Sequence, residues 1–292
     1  MDAQSFHFRV GAFECIVVND GSLAYSNPAR VHFANAPADR LASDLAAYGL
    51  QIDKWTEWIS PLLCLVIQTG EHQVLVDTGL GAVDFAPNAG RLLQNLQAEG
   101  IEPGDIDTVI LTHAHGDHIG GNTVPEGRPA FPQARYIMWK DEWDFWTSET
   151  TLARPEYQWM TSFVHDNLLP IHDRFQFLQQ DIEIVPGVHT LFAPGHTPGH
   201  TALVVASGGE QLLCVGDAIA HPIHVEQLDW YFAPDCQPEL ALRTRRQLLE
   251  HAAADRTLTF AFHLDFPGLG YVHSQGEGLK WQPLARTGPS SD

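Results

Sequence analysis

Three imidazoles and a carboxylate fall within six consecutive positions of the chain, at His113, His115, Asp117 and His118. With 16 His among 292 residues, chance would place fewer than one His in a window of that length. Neutral imidazoles combined with a carboxylate suit Zn, Fe and Mn ions. On a loop, the first two His can turn one way while the Asp and the last His turn the other. The motif therefore predicts a site for two metal ions.

The motif begins where a predicted strand ends. Residues 107–112 are apolar and rich in β-forming side chains, and Gly120 and Gly121 follow the motif. Open α/β sheets place their sites at the carboxyl ends of strands. Three later segments repeat the order of a strand and then a potential ligand: 189–192 before His196, 211–215 before Asp217, and 257–262 before His263. Strands lying side by side would bring all of these side chains to one rim.

The complete order, H-x-H-x-D-H followed by a lone His, an Asp and a final His, resembles the pattern of the metallo-β-lactamase fold superfamily over about residues 60–265. The resemblance implies an α/β fold of four layers, an αββα sandwich. It also implies which side chains bind each ion. One metal would be bound by His113, His115 and His196, and the second by Asp117, His118 and His263, with Asp217 bridging both.

The resemblance further implies a hydrolytic mechanism. Two divalent ions about 3.5–4 Å apart would share a hydroxide that attacks an electrophile, and both would stabilise the developing oxyanion. Asp117 and Asp217 are the predicted catalytic carboxylates. Zn is the expected metal of a His-rich hydrolytic site, and the carboxylates also admit Fe, Mn or Co. Asp77, at the end of a predicted strand, matches a position that orients a ligand His by accepting its second ring N–H.

A local string narrows the branch of the superfamily. The sequence H-x-x-F-P-G-L-G, starting at His263, resembles methyl parathion hydrolase and related lactonases. An ester, a lactone or a phosphotriester is therefore the expected substrate. Acyl-homoserine lactonases have a Tyr three residues after the bridging Asp, whereas this chain has Ala220, which disfavours a tyrosine-assisted mechanism.

Two other functions are compatible with part of the pattern. A mono-iron oxygenase of the persulfide dioxygenase kind shares some of the ligands, but the complete second trio of Asp117, His118 and His263 argues against it. A metal-stabilised binding protein without activity is the non-enzymatic alternative. A full ligand set with an open position for water favours an enzyme over that alternative.

Composition excludes several partners and locations. The net charge of −20 would repel a phosphodiester backbone, so nucleic acid is not an expected partner. No apolar stretch reaches the roughly 18 residues of a membrane helix, and the first nine residues lack the basic and apolar regions of a secretory signal. The four Cys are scattered, with no paired spacing. We expect a cytoplasmic protein that acts on a small molecule.

One domain over residues 1–292 is predicted, because no linker divides the chain and the ligands are spread over most of it. Residues 20–60 are rich in aromatic side chains and are predicted to form a lid or a dimerisation segment, with a homodimer as the expected assembly. A second aromatic cluster follows the bridging Asp. Its members, together with a nearby His, are predicted to line the substrate pocket: His221, Trp230, Tyr231 and Phe232.

Apolar periodicity predicts the remaining elements. Strands are expected at 13–18, 62–67, 73–76, 136–139 and 203–205. Helices are expected at 88–98, with Asn88 as the N-cap, from 141 to 146, and at 238–254, with Pro238 in the first turn.

Overall fold

Two seven-stranded sheets form the centre of the fold in the computed structural model, which describes residues 4–276 and 278–285. The first sheet contains, in spatial order, β1 (Ser5–Val10), β2 (Phe13–Ser26), β3 (Glu57–Gln68), β4 (Gln73–Val76), β5 (Thr108–Ile110), β8 (Arg135–Trp139) and β9 (Phe175–Leu178). The second contains β10 (Glu183–Val185), β11 (Val188–Phe192), β12 (Thr201–Ser207), β13 (Glu210–Cys214), β14 (Leu258–Phe260), β15 (Leu269–Gln275) and β16 (Gly278–Pro283). Strands β6 (Thr123–Val124) and β7 (Arg128–Pro129) pair separately.

The described residues form nine α-helices, some of which cover the outer faces of the two sheets. They are α1 (Pro28–His32), α2 (Ala38–Ala47), α3 (Leu92–Ala98), α4 (Gly116–Ile119), α5 (Lys140–Trp146), α6 (Glu149–Leu152), α7 (Met160–Asn167), α8 (Ile223–Glu226) and α9 (Pro238–Asp255). Within the described ranges, none of them is both long and apolar enough to cross a membrane. The predicted domain spans 1–292, so its first three residues, residue 277 and residues 286–292 lie outside the described part of the chain.

Strand β3 shows how the sequence produces the layers. Its apolar run from 62 to 67 is buried on both faces. Because side chains alternate along a strand, Leu62, Cys64 and Val66 face the core beneath the helices of the first sheet. The intervening side chains face the core between the two sheets, where they join Leu203 and Phe260 from the second sheet. The predicted four-layer αββα sandwich is confirmed.

Parallel strands bring the predicted ligands to one edge. In the first sheet β4, β5 and β8 run parallel, with Val76 beside Ile110 and Ile110 beside Ile137. In the second sheet β13 and β14 run parallel, with Cys214 beside Phe260. The carboxyl ends of parallel strands lie at the same edge, and the loops that carry the ligands leave from those ends.

The helix predicted over 88–98 is shorter, and Asn88 is not its N-cap. Helix α3 begins at Leu92, because Gly90 has a φ of 75°, which a helix does not accommodate. The first turn is instead capped from a distant strand. Asp20 in β2 accepts hydrogen bonds from the backbone N–H groups of Leu92 at 2.9 Å and Gly90 at 3.2 Å.

The segment 20–60 packs against residues 223–230. Its α1–α2 region contributes Phe33, Leu41 and Leu45 to a buried cluster that also contains Ile223 and Trp230. Polar contacts join the same surfaces, since Tyr48 donates a hydrogen bond to Glu226 at 2.6 Å and Arg40 donates one to Gln227 at 2.7 Å. The role of this segment as a lid or a dimerisation surface stays a prediction.

Replacing Asp20 by Ala should destabilise the protein without touching the predicted ligands. The buried carboxylate accepts from the backbone N–H groups of Leu80, Gly90 and Leu92, and its loss leaves these donors unpaired. We expect the free energy of unfolding to fall by about 2–4 kcal/mol in urea denaturation. Asp53→Ala, at an exposed turn, is the control. Equal stability of the two variants would show that the carboxylate does not organise this region.

Candidate metal centre

The seven predicted ligands lie in two adjacent groups at the carboxyl edge of the sheets. Within each group, the candidate ligand atoms all lie within 4.8 Å of one another. The first group contains His113, His115, His196 and Asp217, and the second contains Asp117, His118 and His263. The structure thus assembles from four separate loops the set that the sequence pattern implied.

In the first group, three ring nitrogens face a common point. The Nδ1 atom of His115 lies 3.0 Å from Nε2 of His113 and 3.0 Å from Nε2 of His196. A carboxylate oxygen of Asp217, Oδ2, lies 3.4 Å from the same His196 nitrogen. Nitrogen lone pairs converging in this way are arranged to share a cation.

The second group is joined to the first through Asp217. Its Oδ1 atom lies 3.4 Å from Nε2 of His118, and its Oδ2 atom lies 3.1 Å from Nε2 of His263. Asp117 completes the group, with Oδ2 lying 3.5 Å from the same His263 nitrogen. Nε2 of His118 and Oδ1 of Asp217 are buried, and neither makes a hydrogen bond to a described residue. Buried polar atoms are normally paired, so this donor set fits two divalent cations.

The outward-facing ring nitrogens are held by protein partners. The Nδ1 atom of His118 donates to Asp77 at 2.6 Å, that of His196 donates to Asp235 at 2.8 Å, and that of His263 contacts the Ser60 hydroxyl at 2.9 Å. Asp77 and Asp235 can only accept, so they hold a proton on the outer nitrogens of His118 and His196 and turn the inner nitrogens toward the centre. Asp77 thus contacts His118, and its role in orienting a metal ligand stays a prediction.

Asp235, Ser60 and Glu142 are site residues that sequence reasoning missed. The buried Glu142 carboxylate accepts hydrogen bonds from the backbone N–H groups of Ala114 at 2.8 Å and Gly199 at 2.9 Å. It therefore ties the loop of the first two His ligands to the loop of His196. Sequence signals at these positions are weak, because each residue acts through a partner that is remote along the chain.

Burial and charge prepare these side chains to bind cations. Burial, reinforced by neighbouring imidazoles, lowers the pKa of His113 and His115 well below the ordinary value, so both rings are neutral at pH 7. Burial opposes ionisation of Asp217, yet the imidazoles of His263 and His118 hold the pKa of this carboxyl well below its usual range. His113 and His115 are therefore neutral beside an ionised carboxylate. Burial opposes protonation of His118 and His263, but the carboxylate of Asp217 outweighs it and raises the pKa of both rings.

The four predicted pocket residues occupy different environments. Phe232 stacks on the ring of His196, with centroids 5.8 Å apart and planes 13° apart. His221 is buried among rings of the N-terminal segment, including Phe33 at 5.4 Å. Trp230 is 3% exposed inside the cluster that anchors this segment, and Tyr231 is half-buried. Their pocket role stays a prediction, and the position of Trp230 favours a packing role.

Comparison with known proteins gives the class to which this centre belongs. The family model described as the metallo-beta-lactamase superfamily matches residues 60–256. An N-acyl homoserine lactonase of Bacillus thuringiensis is 28% identical over 223 residues, which cover 70% of this chain and 81% of that protein. One from Bacillus cereus is 26% identical over 247 residues, covering 78% and 90%.

Solved structures agree with this assignment. AidC, a dizinc quorum-quenching lactonase solved with a product, matches with a TM-score of 0.87 and 26% identity over 97% of this chain and 99% of that chain. AbOPH, a hydrolase in the beta-lactamase superfamily, matches with a TM-score of 0.86 and 26% identity over 98% and 99%. The chain belongs to the metallo-β-lactamase superfamily, and it is a metal-dependent hydrolase.

Metal analysis should give close to two divalent ions per chain, because both ligand groups are complete. Asp217→Ala should weaken both sites, since this carboxylate lies against ligand nitrogens of each group. Elemental analysis of protein purified without chelator, then titrated with Zn²⁺, measures both effects. A wild-type value near one that added metal does not raise would contradict two sites.

Asp235→Ala should weaken metal binding about 10- to 100-fold, because it removes the acceptor that orients His196. Competition with a chromogenic zinc chelator provides the measurement. Asp229→Ala is a matched control, since this exposed carboxylate lies in the same segment and pairs with Arg246. If both variants bind Zn²⁺ as tightly as the wild type, Asp235 does not support the centre.

Proposed function

We propose that this protein hydrolyses the ring ester of N-acyl homoserine lactones with two zinc ions as its metals. The observation that carries the proposal is the pair of complete ligand groups in a fold that matches a dizinc lactonase over 97% of the chain. The N-acyl homoserine lactonases among its sequence relatives support the same substrate class. A cytoplasmic location and a homodimer stay predictions from the sequence.

The chemistry divides between the metals and the protein. When bound, two zinc ions would supply an activated water and a Lewis acid for the carbonyl oxygen. His113, His115 and His196 would hold one ion, and Asp217 would lie between the two. Hydrolysis adds the water oxygen to the lactone carbonyl carbon and breaks the bond to the ring oxygen, which must gain a proton.

Asp117 is the group placed to move that proton. Its side chain is 11% exposed, more than those of His118 and Asp217 beside it, so one carboxylate faces the open side of the centre. Its Oδ2 atom lies 3.5 Å from Nε2 of His263, which fixes its direction. A carboxylate at this place can accept a proton from water and pass it to the ring oxygen as the ester bond breaks.

The open side of the centre is apolar, as an acyl chain requires. The ring of Trp159 is 52% exposed, and its centroid lies 5.7 Å from that of His115. Phe163 lies 6.4 Å from Trp159, and the exposed Phe85 lies 6.5 Å from Phe163. Exposed apolar rings next to polar ligands are typical of a binding surface for a substrate with an apolar tail.

Zinc-loaded protein should hydrolyse N-hexanoyl homoserine lactone to the ring-opened hydroxy acid, with one proton released per turnover in a pH-stat. Asp117→Asn should lower kcat about 10²- to 10⁴-fold, the usual contribution of a positioned general acid or base. Removing the metal with a chelator should abolish turnover, and Zn²⁺ should restore it.

Asp229→Asn, at an exposed position in the same acidic chain, controls for a general loss of charge. Paraoxon and p-nitrophenyl acetate test the other substrate classes that the sequence suggested. A higher kcat/KM for either compound than for the lactone, or turnover that survives complete removal of metal, would refute the proposal.

A further inference from the structure

His32 is a buried imidazole with no hydrogen-bonding role inside the described chain. It is the last residue of α1, and its side chain is 0% exposed. Its backbone carbonyl accepts a hydrogen bond from Nε2 of His224 at 2.6 Å, which fixes the main chain at this position. Neither ring nitrogen of His32 has a hydrogen-bond partner among the described residues.

The His32 ring lies one aromatic ring away from both ligand groups. Phe232 stacks on it with centroids 5.2 Å apart and planes 8° apart, and Phe232 also stacks on His196 of the first group. The Trp58 ring meets it edge-on at 4.1 Å, and Trp58 lies 6.3 Å from His263 of the second group. His32 therefore contacts both of the aromatic rings, Trp58 and Phe232, that lie next to the ligand groups.

The neighbouring His residues cannot satisfy this ring. The centroids of His221 and His224 lie 5.7 and 5.9 Å from that of His32. Nδ1 of His221 accepts from the backbone N–H of Ile223, and both nitrogens of His224 are engaged with backbone groups. Burial, with smaller contributions from His221 and His263, holds the pKa of His32 well below its ordinary value. The ring is therefore neutral and carries one N–H donor and one lone pair.

An unpaired buried polar group destabilises the folded protein, and such groups are rare in native structures. A Phe or Leu at this position would pack among the same rings without that cost. An imidazole at this position therefore points to a partner from outside the described residues. It is a polar group within a mostly aromatic enclosure, which is how ligand pockets fix the orientation of an otherwise apolar molecule.

We propose that His32 recognises the acyl amide of the substrate, with its ring N–H donating a hydrogen bond to the amide carbonyl oxygen. This inference rests on the lactone hydrolysis proposed above. In an N-acyl homoserine lactone, one carbon separates the amide nitrogen from the lactone carbonyl. A lactone ring at the metals therefore places the amide beside the wall formed by Trp58 and Phe232. His32 selects lactones that carry an amide over lactones that do not.

His32→Phe tests this assignment, because it keeps the ring and removes both nitrogens. Kinetics are measured with N-hexanoyl homoserine lactone and with γ-nonalactone, a five-membered lactone with an alkyl tail and no amide. We expect the ratio of the two kcat/KM values to fall about 10- to 100-fold, mainly through KM for the amide substrate. His32→Gln, which restores an N–H donor, should recover part of that ratio. The Tm of His32→Phe should equal or exceed that of the wild type, because an unpaired polar group is removed.

His273→Phe is the matched control, since Nδ1 of His273 is also buried without a partner in the described chain but lies on β15. Its substrate ratio should match that of the wild type. An unchanged ratio in His32→Phe, or an equal loss on both lactones with a lowered Tm, would overturn the inference and leave lactone hydrolysis standing. Wild-type protein that opens γ-nonalactone but not the amide substrate would overturn both the inference and the proposed acyl-homoserine lactone substrate. Zinc-loaded wild type that opens no lactone would refute the proposed function itself, and the inference with it.

Discussion

The structure depends on keeping seven ionisable side chains turned toward each other in a buried space. Such groups are more stable in water, and the ring nitrogens of His113, His115 and His196 that face one another have no shared proton or cation to offset their burial. Hydrogen bonds to the outer ring nitrogens hold the ligands in place, as Asp77 does for His118 and Asp235 does for His196. These outer partners come from segments remote from the ligands, so the centre can exist only when both sheets are assembled.

The residues that orient the metal ligands are themselves held by helix α9 in the outer layer. The buried guanidinium of Arg245 on α9 donates to the carbonyls of Ala218 at 2.6 Å and Trp230 at 2.5 Å, and it lies 3.8 Å from the Asp235 carboxylate. It therefore holds the segment after Asp217 in the shape that presents Asp235 to its ligand. A helix of the outer layer thus contributes to the orientation of a side chain at the edge of the inner sheets.

The local sequence is enough to predict the metal ligands, but not the residues that hydrogen-bond to those ligands. The H-x-H-x-D-H motif, and donors placed directly after apolar strands, are readable because the chemistry lies within a few residues. Asp235 and Ser60 lie 39 and 203 residues from the rings they hold, so their roles arise only from tertiary contacts. The start of α3 was predicted wrongly for the same reason, since its cap is Asp20, 72 residues before Leu92. Apolar spacing predicts the strands and the long helices because burial of one face imposes a repeating pattern along the whole element.

The aromatic residues after Asp217 show that residues close in the sequence can make quite different tertiary contacts. Trp230 and Phe232 lie two positions apart in the sequence but in different environments. Trp230 packs in the cluster that anchors the N-terminal segment, and Phe232 stacks on the ring of His196. The same packing that anchors α1 and α2 encloses His32 in a ring of aromatic faces without giving its nitrogens a partner. Local sequence preferences and tertiary structure often disagree at functional sites, where the folded protein is less stable than a better-packed sequence would make it. Residues 20–60 therefore contribute aromatic rings next to the ligand groups, with Trp58 lying 6.3 Å from His263 and 4.1 Å from His32.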